Sequence, residues 1–474
     1  MPEVSEISSV AIASIGKIFG IAKSSVGKVM GIAIPAAANP FTFTIVATGN
    51  SFTLPLVSDG SINMVVDWGD SSSDTITSYN QAEKTHTYAG TGTYTIQITG
   101  TIRGWRFWWG GSVAQMREIS QWGDFDFTTN GAFAGASYLT CTATDIPNIS
   151  GTRLDYSFYS NQSANIPVTG WDVSSVTNIS GMFTGNGDFN DAGIIDWDVS
   201  NCNSFSATFY GTSFNQDIGG WDMSSAQQMA QMFVSTPFNQ DIDSWDMSSV
   251  TNIGAMFQYC TAFNQDLNSW DVSNVTSLNQ LFYSCTAFNG NISSWDVSRV
   301  TNLDGAFYNC TIFNQDLSAW DLGSCTRTIS MFQSAIAFNQ DISGWDMADV
   351  TYAGSMFRTA TAFNQDIGGW DVRNISNMSM MFRECPNFDQ DISEWNIERV
   401  TNFSNFMLGV TLSTANYDAL LIAWAAQNVT DELAVHFGSS QYTGGEESEA
   451  AIARQDLIDV DAWSITDGGA AGGD

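Results

Sequence analysis

The stretch from residue 262 to residue 285 reads AFNQDLNSWDVSNVTSLNQLFYSC, and close copies of it fill most of the chain. Its tryptophan recurs at an almost constant interval, as Trp270, Trp295 and Trp320 show. The tryptophans of this series are Trp171, Trp197, Trp221, Trp245, Trp270, Trp295, Trp320, Trp345, Trp370 and Trp395. A phenylalanine recurs in step with them, from Phe133 and Phe158 to Phe406. A fixed period of this length is the signature of a repeat architecture, and about twelve turns can be counted.

Each unit is too short to bury its own apolar side chains. In the quoted copy these are Phe263, Leu267, Trp270, Val272, Val275, Leu278 and Phe282. Alternation at Trp270 and Val272 is typical of a short strand, and the three- and four-residue spacings from Val275 onward indicate a helical or 3₁₀ turn. Copies stacked on one another bury such faces together, as in a solenoid. The sequence therefore predicts a mainly β solenoid with short helical turns and a core of stacked aromatic residues.

The seven cysteines follow the repeat. One position of the unit carries Cys260, Cys285, Cys310 and Cys385, and another carries Cys202 and Cys325. There is no Cys-x-x-Cys motif and no histidine cluster, which argues against a zinc site. Cysteines of adjacent turns could form disulfides. Evenly stacked buried thiols are the simpler interpretation, since Ala335 and Ala360 fill the first position elsewhere.

The chain is strongly acidic. Of its 474 residues, 15 are Lys or Arg and 49 are Asp or Glu, which gives a net charge of −34. Such a charge repels nucleic acid and anionic membranes, so neither is an expected partner. No apolar run is long enough to span a bilayer, and membrane insertion is not expected.

The sequence divides into four regions. Residues 102–410 carry the repeat. Residues 411–474 combine two helix patterns with short strand patterns and are expected to cover its last turn. Residues 40–101 contain alternating strand patterns separated by turn signals, which predict a small β-sandwich.

Residues 1–39 are predicted to be an anchoring or oligomerisation segment. They hold a glycine-containing motif that occurs twice, as SIGKIFGIA at 14–22 and SVGKVMGIA at 25–33. The apolar residues expected to be buried there are Ile15, Ile18, Phe19, Ile21, Val26, Val29, Met30 and Ile32. The segment is too short to bury them alone, so we expect a homo-oligomer, with a trimer favoured, or docking into a larger particle. Its charged residues make it unlike an ordinary signal peptide, although a late cleavage at Ala36-Ala37-Ala38 is an alternative.

Three resemblances follow from these motifs. The repeat, for example FNQDI at 363–367 with WDV at 370–372, closely resembles that of BspA-like leucine-rich-repeat surface proteins of mycoplasma and Bacteroidetes, over about residues 120–465. VDWGD at 66–70 and HTY at 86–88 resemble a PKD-type β-sandwich. The glycine repeats are similar to short repeats at the start of phage virion proteins. These resemblances imply a leucine-rich-repeat-like solenoid of about twelve turns behind a PKD-like sandwich, an extracellular setting, adhesion or receptor binding, and no catalysis.

Aspartates recur at two positions of the unit. The first row comprises Asp217, Asp241, Asp266, Asp316, Asp341, Asp366 and Asp391, and the second follows each tryptophan from Asp172 to Asp371. Stacked carboxylates repel each other unless hydrogen bonds or cations compensate. One interpretation is that they cap the backbone of each turn. The other makes the first row a ligand-binding strip, or one bridged by calcium, although Asn291 interrupts it.

A second calcium hypothesis concerns the first module. Asp67, Asp70 and Asp74 are close enough in sequence to gather a calcium ion. The alternative is that Asp70 simply forms the turn in its Trp-Gly-Asp motif. No other cofactor or metal is expected.

No catalytic constellation is evident. His86 and His436 are far apart, and no nucleophile-elbow, P-loop or dinucleotide motif occurs. Together with the resemblance of the glycine repeats to those of phage virion proteins, this predicts a non-enzymatic virion surface protein. It would attach to capsid or tail proteins through its N-terminus and present the solenoid to a host receptor or glycan. A secreted bacterial cell-surface adhesin is the alternative, and a polysaccharide-active enzyme with paired carboxylates is a minor one.

Overall fold

The computed structural model describes residues 39–58, 60–162 and 165–472, and the backbone of two short antiparallel strands, β1 (Lys28–Val29) and β2 (Ile32–Ala33). Of the expected anchoring residues, Val29 and Ile32 lie in these two strands. The others lie outside the described residues: Ile15, Ile18, Phe19, Ile21, Val26 and Met30. The protein is mainly β with few helices. None of the helices in the described ranges is long and apolar enough to cross a membrane.

The first module is built on a six-stranded sheet. Its strands are β3 (Phe41–Ala47), β5 (Ile62–Asp67), β6 (Ser73–Ile76), β8 (Gly92–Ile102), β9 (Met116–Gln121) and β10 (Thr140–Cys141), in the spatial order β10-β9-β3-β8-β5-β6. A separate antiparallel pair consists of β4 (Ser51–Thr53) and β7 (Thr85–Thr87). Alternate residues of β5 are buried, as the period-two pattern predicts for a strand with one face on a core, and β3 follows this pattern except that Thr42 is buried as well. Two short 3₁₀ helices, Ala82–Lys84 and Val113–Gln115, lie between strands.

This sheet continues past the boundary expected at residue 101. Strand β9 pairs antiparallel with β3, opposite the side that β8 occupies. Strand β10 then pairs with β9 in parallel, with Thr140 opposite Glu118. Adjacent coils of the repeat pair in the same way, since each is parallel to a segment about one repeat further along the chain. The sheet of the first module therefore passes directly into the repeat.

Successive units of the repeat lie on one another in parallel. Isolated parallel bridges join equivalent residues of neighbouring units, as in Arg153 to Asn178, Asn302 to Arg327 and Asn377 to Asn402. Backbone hydrogen bonds extend this contact, since the amide of Phe282 donates to the carbonyl of Ala306 in the next coil. The stacked units form a ladder of single bridges and turns instead of long strands.

The prediction of a helical or 3₁₀ turn between Val275 and Phe282 was wrong. Along this segment, alternate amides donate to the next coil, and those between them donate three residues back, as Leu281 does to Leu278. The backbone turns tightly because Gln280 and Ser284 adopt left-handed φ angles of 56° and 60°. Consecutive turns with inter-coil bonds thus produce the three- and four-residue spacing that resembles a helix. The only helical element within the described part of residues 125–410 is a 3₁₀ helix, Ala192–Asp196.

Stacked aromatic rings fill the centre of the repeat, as the periodic pattern predicts. Trp295 lies between Trp270 and Trp320, with ring centroids 6.2 and 6.3 Å away and nearly parallel planes. A second phenylalanine of each unit stacks on the first, as Phe288 does on Phe282 at 3.8 Å. Each buried ring removes about 150–250 Å² from water, which contributes on the order of 4–6 kcal/mol before entropy is subtracted. The core is therefore one continuous aromatic stack.

The polar atoms of the stacked tryptophans and cysteines bond to the preceding coil. The indole N–H of Trp295 donates to the carbonyl of Leu267 at 2.8 Å, and eight other tryptophans of the series make the equivalent bond. The thiol of Cys285 likewise donates to the carbonyl of Phe257 at 2.8 Å. All seven cysteines are free, and all except Cys141 are fully buried. Stacked buried thiols are confirmed.

A helical segment closes the far end of the stack. Helix α1 (Thr414–Ala425) starts at Ser413, whose hydroxyl accepts the amide of Asn416, and it packs Trp424 against Phe403 of the last coil. Helix α2 (Glu449–Asp459) and two parallel strand pairs complete the segment. The pairs are β11 (Ala434–His436) with β13 (Ser464–Thr466), and β12 (Tyr442–Thr443) with β14 (Ala470–Ala471).

Candidate functional site

The first aspartate row lies exposed on the outside of the stack. Its carboxylates accept the backbone amide two residues further on, as Asp366 does from Gly368 at 3.0 Å. Equivalent bonds are made by Asp217, Asp241, Asp316, Asp341 and Asp391. Asp266 instead accepts the amide of Asn291 in the next coil at 2.8 Å. Every member of the row thus has a backbone partner.

Asn291 shows what this position requires. Its side-chain oxygen accepts the amide of Ser293 at 3.0 Å, the same bond that the aspartates make. The position therefore needs a hydrogen-bond acceptor and not a charge. For Asp341, the amide and hydroxyl of Ser343 hold the pKa below its usual value, which keeps the carboxylate ionised without a cation.

The second aspartate row, which follows the tryptophans, accepts the same kind of backbone hydrogen bond. Asp296 accepts the amide of Ser298 at 3.0 Å, and the Ser298 hydrogen bonds lower its pKa. The same bond to residue i+2 is made by Asp172, Asp198, Asp222, Asp246, Asp271, Asp321, Asp346 and Asp371. Such turns are the usual structural role of aspartate in loops.

The Phe-Asn-Gln motif forms a third polar ladder. The side-chain oxygen of Asn264 accepts the amide of Asn289, and that of Asn289 accepts the amide of Asn314. Gln265 donates back to both oxygens of Asn239. The ladder runs through Asn190, Asn215, Asn239, Asn264, Asn289, Asn314, Asn339, Asn364 and Asp389. The recurring polar residues are thus occupied in joining one coil to the next.

The three aspartates proposed for calcium in the first module have separate partners. Asp67 accepts the amide of Gly69, and Asp74 accepts the indole N–H of Trp68 at 2.8 Å. Asp70 contacts His86 Nε2 at 2.8 Å. Over the described ranges, no group of three or more His, Cys, Asp or Glu side chains is arranged to hold a metal ion.

Asp70, Ser72 and His86 lie together, but their arrangement does not suit nucleophilic catalysis. A charge-relay triad uses both ring nitrogens, one for the serine and one for the aspartate. Here the same nitrogen, His86 Nε2, faces Asp70 at 2.8 Å and Ser72 at 3.5 Å, and the Ser72 hydroxyl donates to Asp70. The ring of His86 also stacks on Trp68 at 4.8 Å. The cluster is a turn-stabilising network.

Two open grooves lie where the first coils begin. One, of about 520 Å³, is lined by the Arg103–Asp126 ion pair together with Asn148 and Ser150. The other, of about 320 Å³, is lined by Thr128, Asn130 and Arg153 among others. Arg103 lines the first groove, and Arg106 and Arg153 line the second.

Exposed aromatic rings were missed by the sequence analysis. Trp108 and Trp109 are 44% and 46% exposed, and neither belongs to the tryptophan ladder. Further along the outer surface, Tyr259 contacts Tyr283 edge to face, and Tyr283 stacks on Tyr308 at 4.2 Å. Burial, with smaller effects from neighbouring tyrosines, raises the pKa of Tyr283 to about 12. The available signal was Trp108-Trp109 itself, a pair that breaks the repeat spacing between glycines.

Comparison with known families finds one family whose model matches the repeat. The model of a family described as "Mycoplasma protein of unknown function, DUF285" matches residues 152–268, 235–335 and 302–424. These overlapping matches span residues 152–424, more than half of the 474 residues. No curated protein matches the chain. The matched span covers most of the stack of coils and reaches into helix α1, and Trp108 and Trp109 precede it.

Proposed function

The chain belongs to the family described as Mycoplasma protein of unknown function, DUF285, and on this premise we propose that it is a non-enzymatic surface protein that binds a host receptor or glycan. Its repeat acts as a leucine-rich-repeat-like solenoid behind a PKD-like β-sandwich. The solenoid is the rigid support, and its outer aromatic residues make contact with the ligand.

One observation carries this proposal. The recurring polar side chains of the coils are occupied by backbone partners, whereas Trp108, Trp109 and Tyr259 stand nearly half exposed on the outer surface. Exposed aromatic residues on a rigid frame are typical of recognition surfaces, because they bury large area at little cost in conformational entropy.

We place the protein on a virion, attached to capsid or tail, on the strength of the glycine repeats in residues 1–39. These residues would assemble homo-oligomers, with a trimer favoured, and dock on capsid or tail proteins. A secreted bacterial adhesin is the second candidate, supported by the mycoplasma-type repeat.

Sedimentation of the full chain beside a Phe19→Asp variant tests the assembly, since we expect trimers for the full chain and monomers for the variant. Finding the chain by mass spectrometry in washed phage particles would favour the virion, and finding it on bacterial envelopes would favour the adhesin.

Binding is tested with the purified full chain. It is incubated with intact bacterial cells and with immobilised envelope polysaccharides, and the bound fraction is measured. We expect retention without new reducing ends in the supernatant. Release of reducing ends would identify a polysaccharide-active enzyme instead, and absence of any retention on cells or polysaccharides would overturn the proposed function.

A further inference from the structure

Four aromatic rings gather at the start of the coil stack. Trp108 lies edge to face with Trp109 at 5.4 Å and with Tyr156 at 5.5 Å. Trp109 in turn contacts Tyr159 at 4.8 Å, and the two tyrosines are 5.8 Å apart. We call these four residues the aromatic platform. Its rings contact one another, yet both indoles keep nearly half of their surface in water.

Glycines in the next coils make room for the platform. A Cβ at Gly131 would lie 2.2 Å from the ring of Trp108, and one at Gly135 would lie 2.9 Å from Trp109. A Cβ at Gly181 would lie 2.6 Å from Tyr156. Three rings are thus seated directly on glycine backbone, which holds them in fixed orientations.

The backbone beneath the two indoles has the left-handed conformation that recurs in later coils, as at Tyr156, Gln280 and Ser284. Trp108 and Trp109 have φ angles of 46° and 61°, in the left-handed region that bulky side chains rarely occupy. Burial does not account for the two indoles, because both side chains stay largely in solvent. Packing alone therefore does not explain why two tryptophans stand at these positions.

A polar groove adjoins the platform. Asn130, which precedes Gly131, accepts from the guanidinium of Arg106 at 3.3 Å and donates to Asp155 at 3.0 Å. Arg153 pairs with the same Asp155 at 2.8 Å. These planar amide and guanidinium groups are held in place by one another and line a groove of about 320 Å³ together with threonine hydroxyls. Asn130 directly precedes Gly131, on which Trp108 is seated, and Asp155 directly precedes Tyr156, so residues of the groove and the platform are chain neighbours in two successive coils.

We propose that the platform and its groove bind a pyranose unit of a neutral polysaccharide. This inference rests on the proposed function and names its ligand. The apolar C–H face of a pyranose would lie on an indole, while its hydroxyls would reach the amide and guanidinium groups beside it. Single-stranded nucleic acid also stacks on aromatic rings, but the net charge of −34 opposes a polyanion. A second copy of the chain carries the same charge and fits less well.

The experiment uses the full chain with a panel of neutral polysaccharides in affinity electrophoresis, followed by titration calorimetry with the oligosaccharide that retards it most. Trp108→Ala and Trp109→Ala are each expected to weaken binding at least about tenfold, since buried aromatic anchors dominate such contacts. Trp108→Phe, which keeps a ring, should lose less. The matched control is Tyr79→Ala, an exposed ring of the first module, and it should bind like the wild type. Circular dichroism melts establish that every variant is folded.

The outcomes separate the two proposals. If the chain binds polysaccharide and the tryptophan variants bind equally well, the platform assignment is overturned while the proposed function stands. Retention on cells without affinity for any polysaccharide has the same meaning. If the variants instead change the oligomer mass in sedimentation, or if the chain binds single-stranded RNA, the occupant is a second copy or a nucleic acid and the proposal fails. If neither cells nor polysaccharides are bound, the proposed function itself fails.

Discussion

Replacing Trp295 with phenylalanine tests whether the indole stack holds the coils together. The Trp295 side chain is 2% exposed and lies between Trp270 and Trp320. The substitution removes one buried N–H bond to the Leu267 carbonyl, worth about 1 kcal/mol. That carbonyl keeps the amide of Trp270 as a donor, so no orphaned acceptor adds to the cost. The space left by the smaller ring costs about 1–2 kcal/mol. We expect a total loss of about 2–3 kcal/mol.

Urea unfolding followed by far-ultraviolet circular dichroism measures this loss. Because repeat stacks can unfold in parts, hydrogen exchange of peptides from the coils around Trp295 shows where the stack opens. The control is Trp109→Phe, the same substitution at a half-exposed indole, which should change stability by less than about 0.5 kcal/mol. Equal small effects at both positions would refute the reasoning, because the ladder indoles would then not be packed as described.

Three further predictions concern single side chains. Asn186 is fully buried, and neither the oxygen nor the nitrogen of its side-chain amide has a hydrogen-bond partner, whereas Thr212 in the equivalent position donates to a backbone carbonyl. Asn186→Thr should therefore stabilise the protein by about 1–3 kcal/mol. A lower melting temperature of this variant would contradict the prediction. The lowered pKa of Asp296 means that its bond to Ser298 contributes stability above the unfolded pKa of about 3.9 and loses it as pH falls through the lower folded value. Denaturation midpoints should therefore decline in acid, and less steeply for Asp296→Asn; parallel declines would argue against the bond. A thiol reagent at about pH 8 should react slowly with Cys141 and with no other cysteine of the native chain, because burial raises the pKa of each thiol. In denaturant, the same reagent should react with all seven cysteines.

The aromatic core could be predicted from the sequence because its signal is periodic. A tryptophan at the same position of every unit implies equivalent environments, and only stacked copies bury all of them. The local backbone could not be predicted in the same way. The spacing from Val275 to Phe282 fits a helix, but the amides bond alternately within the turn and to the next coil. Hydrogen bonds between one coil and the next do not appear in a local apolar pattern.

The candidate site, too, could be predicted from the sequence only in part. Sequence reasoning found both aspartate rows and left capping and cation binding as alternatives, because it does not show which group faces each carboxylate. The structure supplies an amide two residues away in nearly every case. It also brings Trp108 and Trp109 beside Tyr156 and Tyr159 from a distant part of the chain, and this had no counterpart in the periodic pattern.

By itself, the sequence determined the period, the rows of buried aromatic residues and thiols, the acidic character, and the two helix patterns of residues 411–474. These depend on which residue types recur and how far apart they are, so they can be read along the chain. The tertiary structure decided the β-turn backbone of each coil, the sheet that runs from the first module into the repeat, and the exposed aromatic platform. Each of these arises between segments that are distant in sequence, because the amides, carbonyls and rings involved find their partners only when one coil lies on the next.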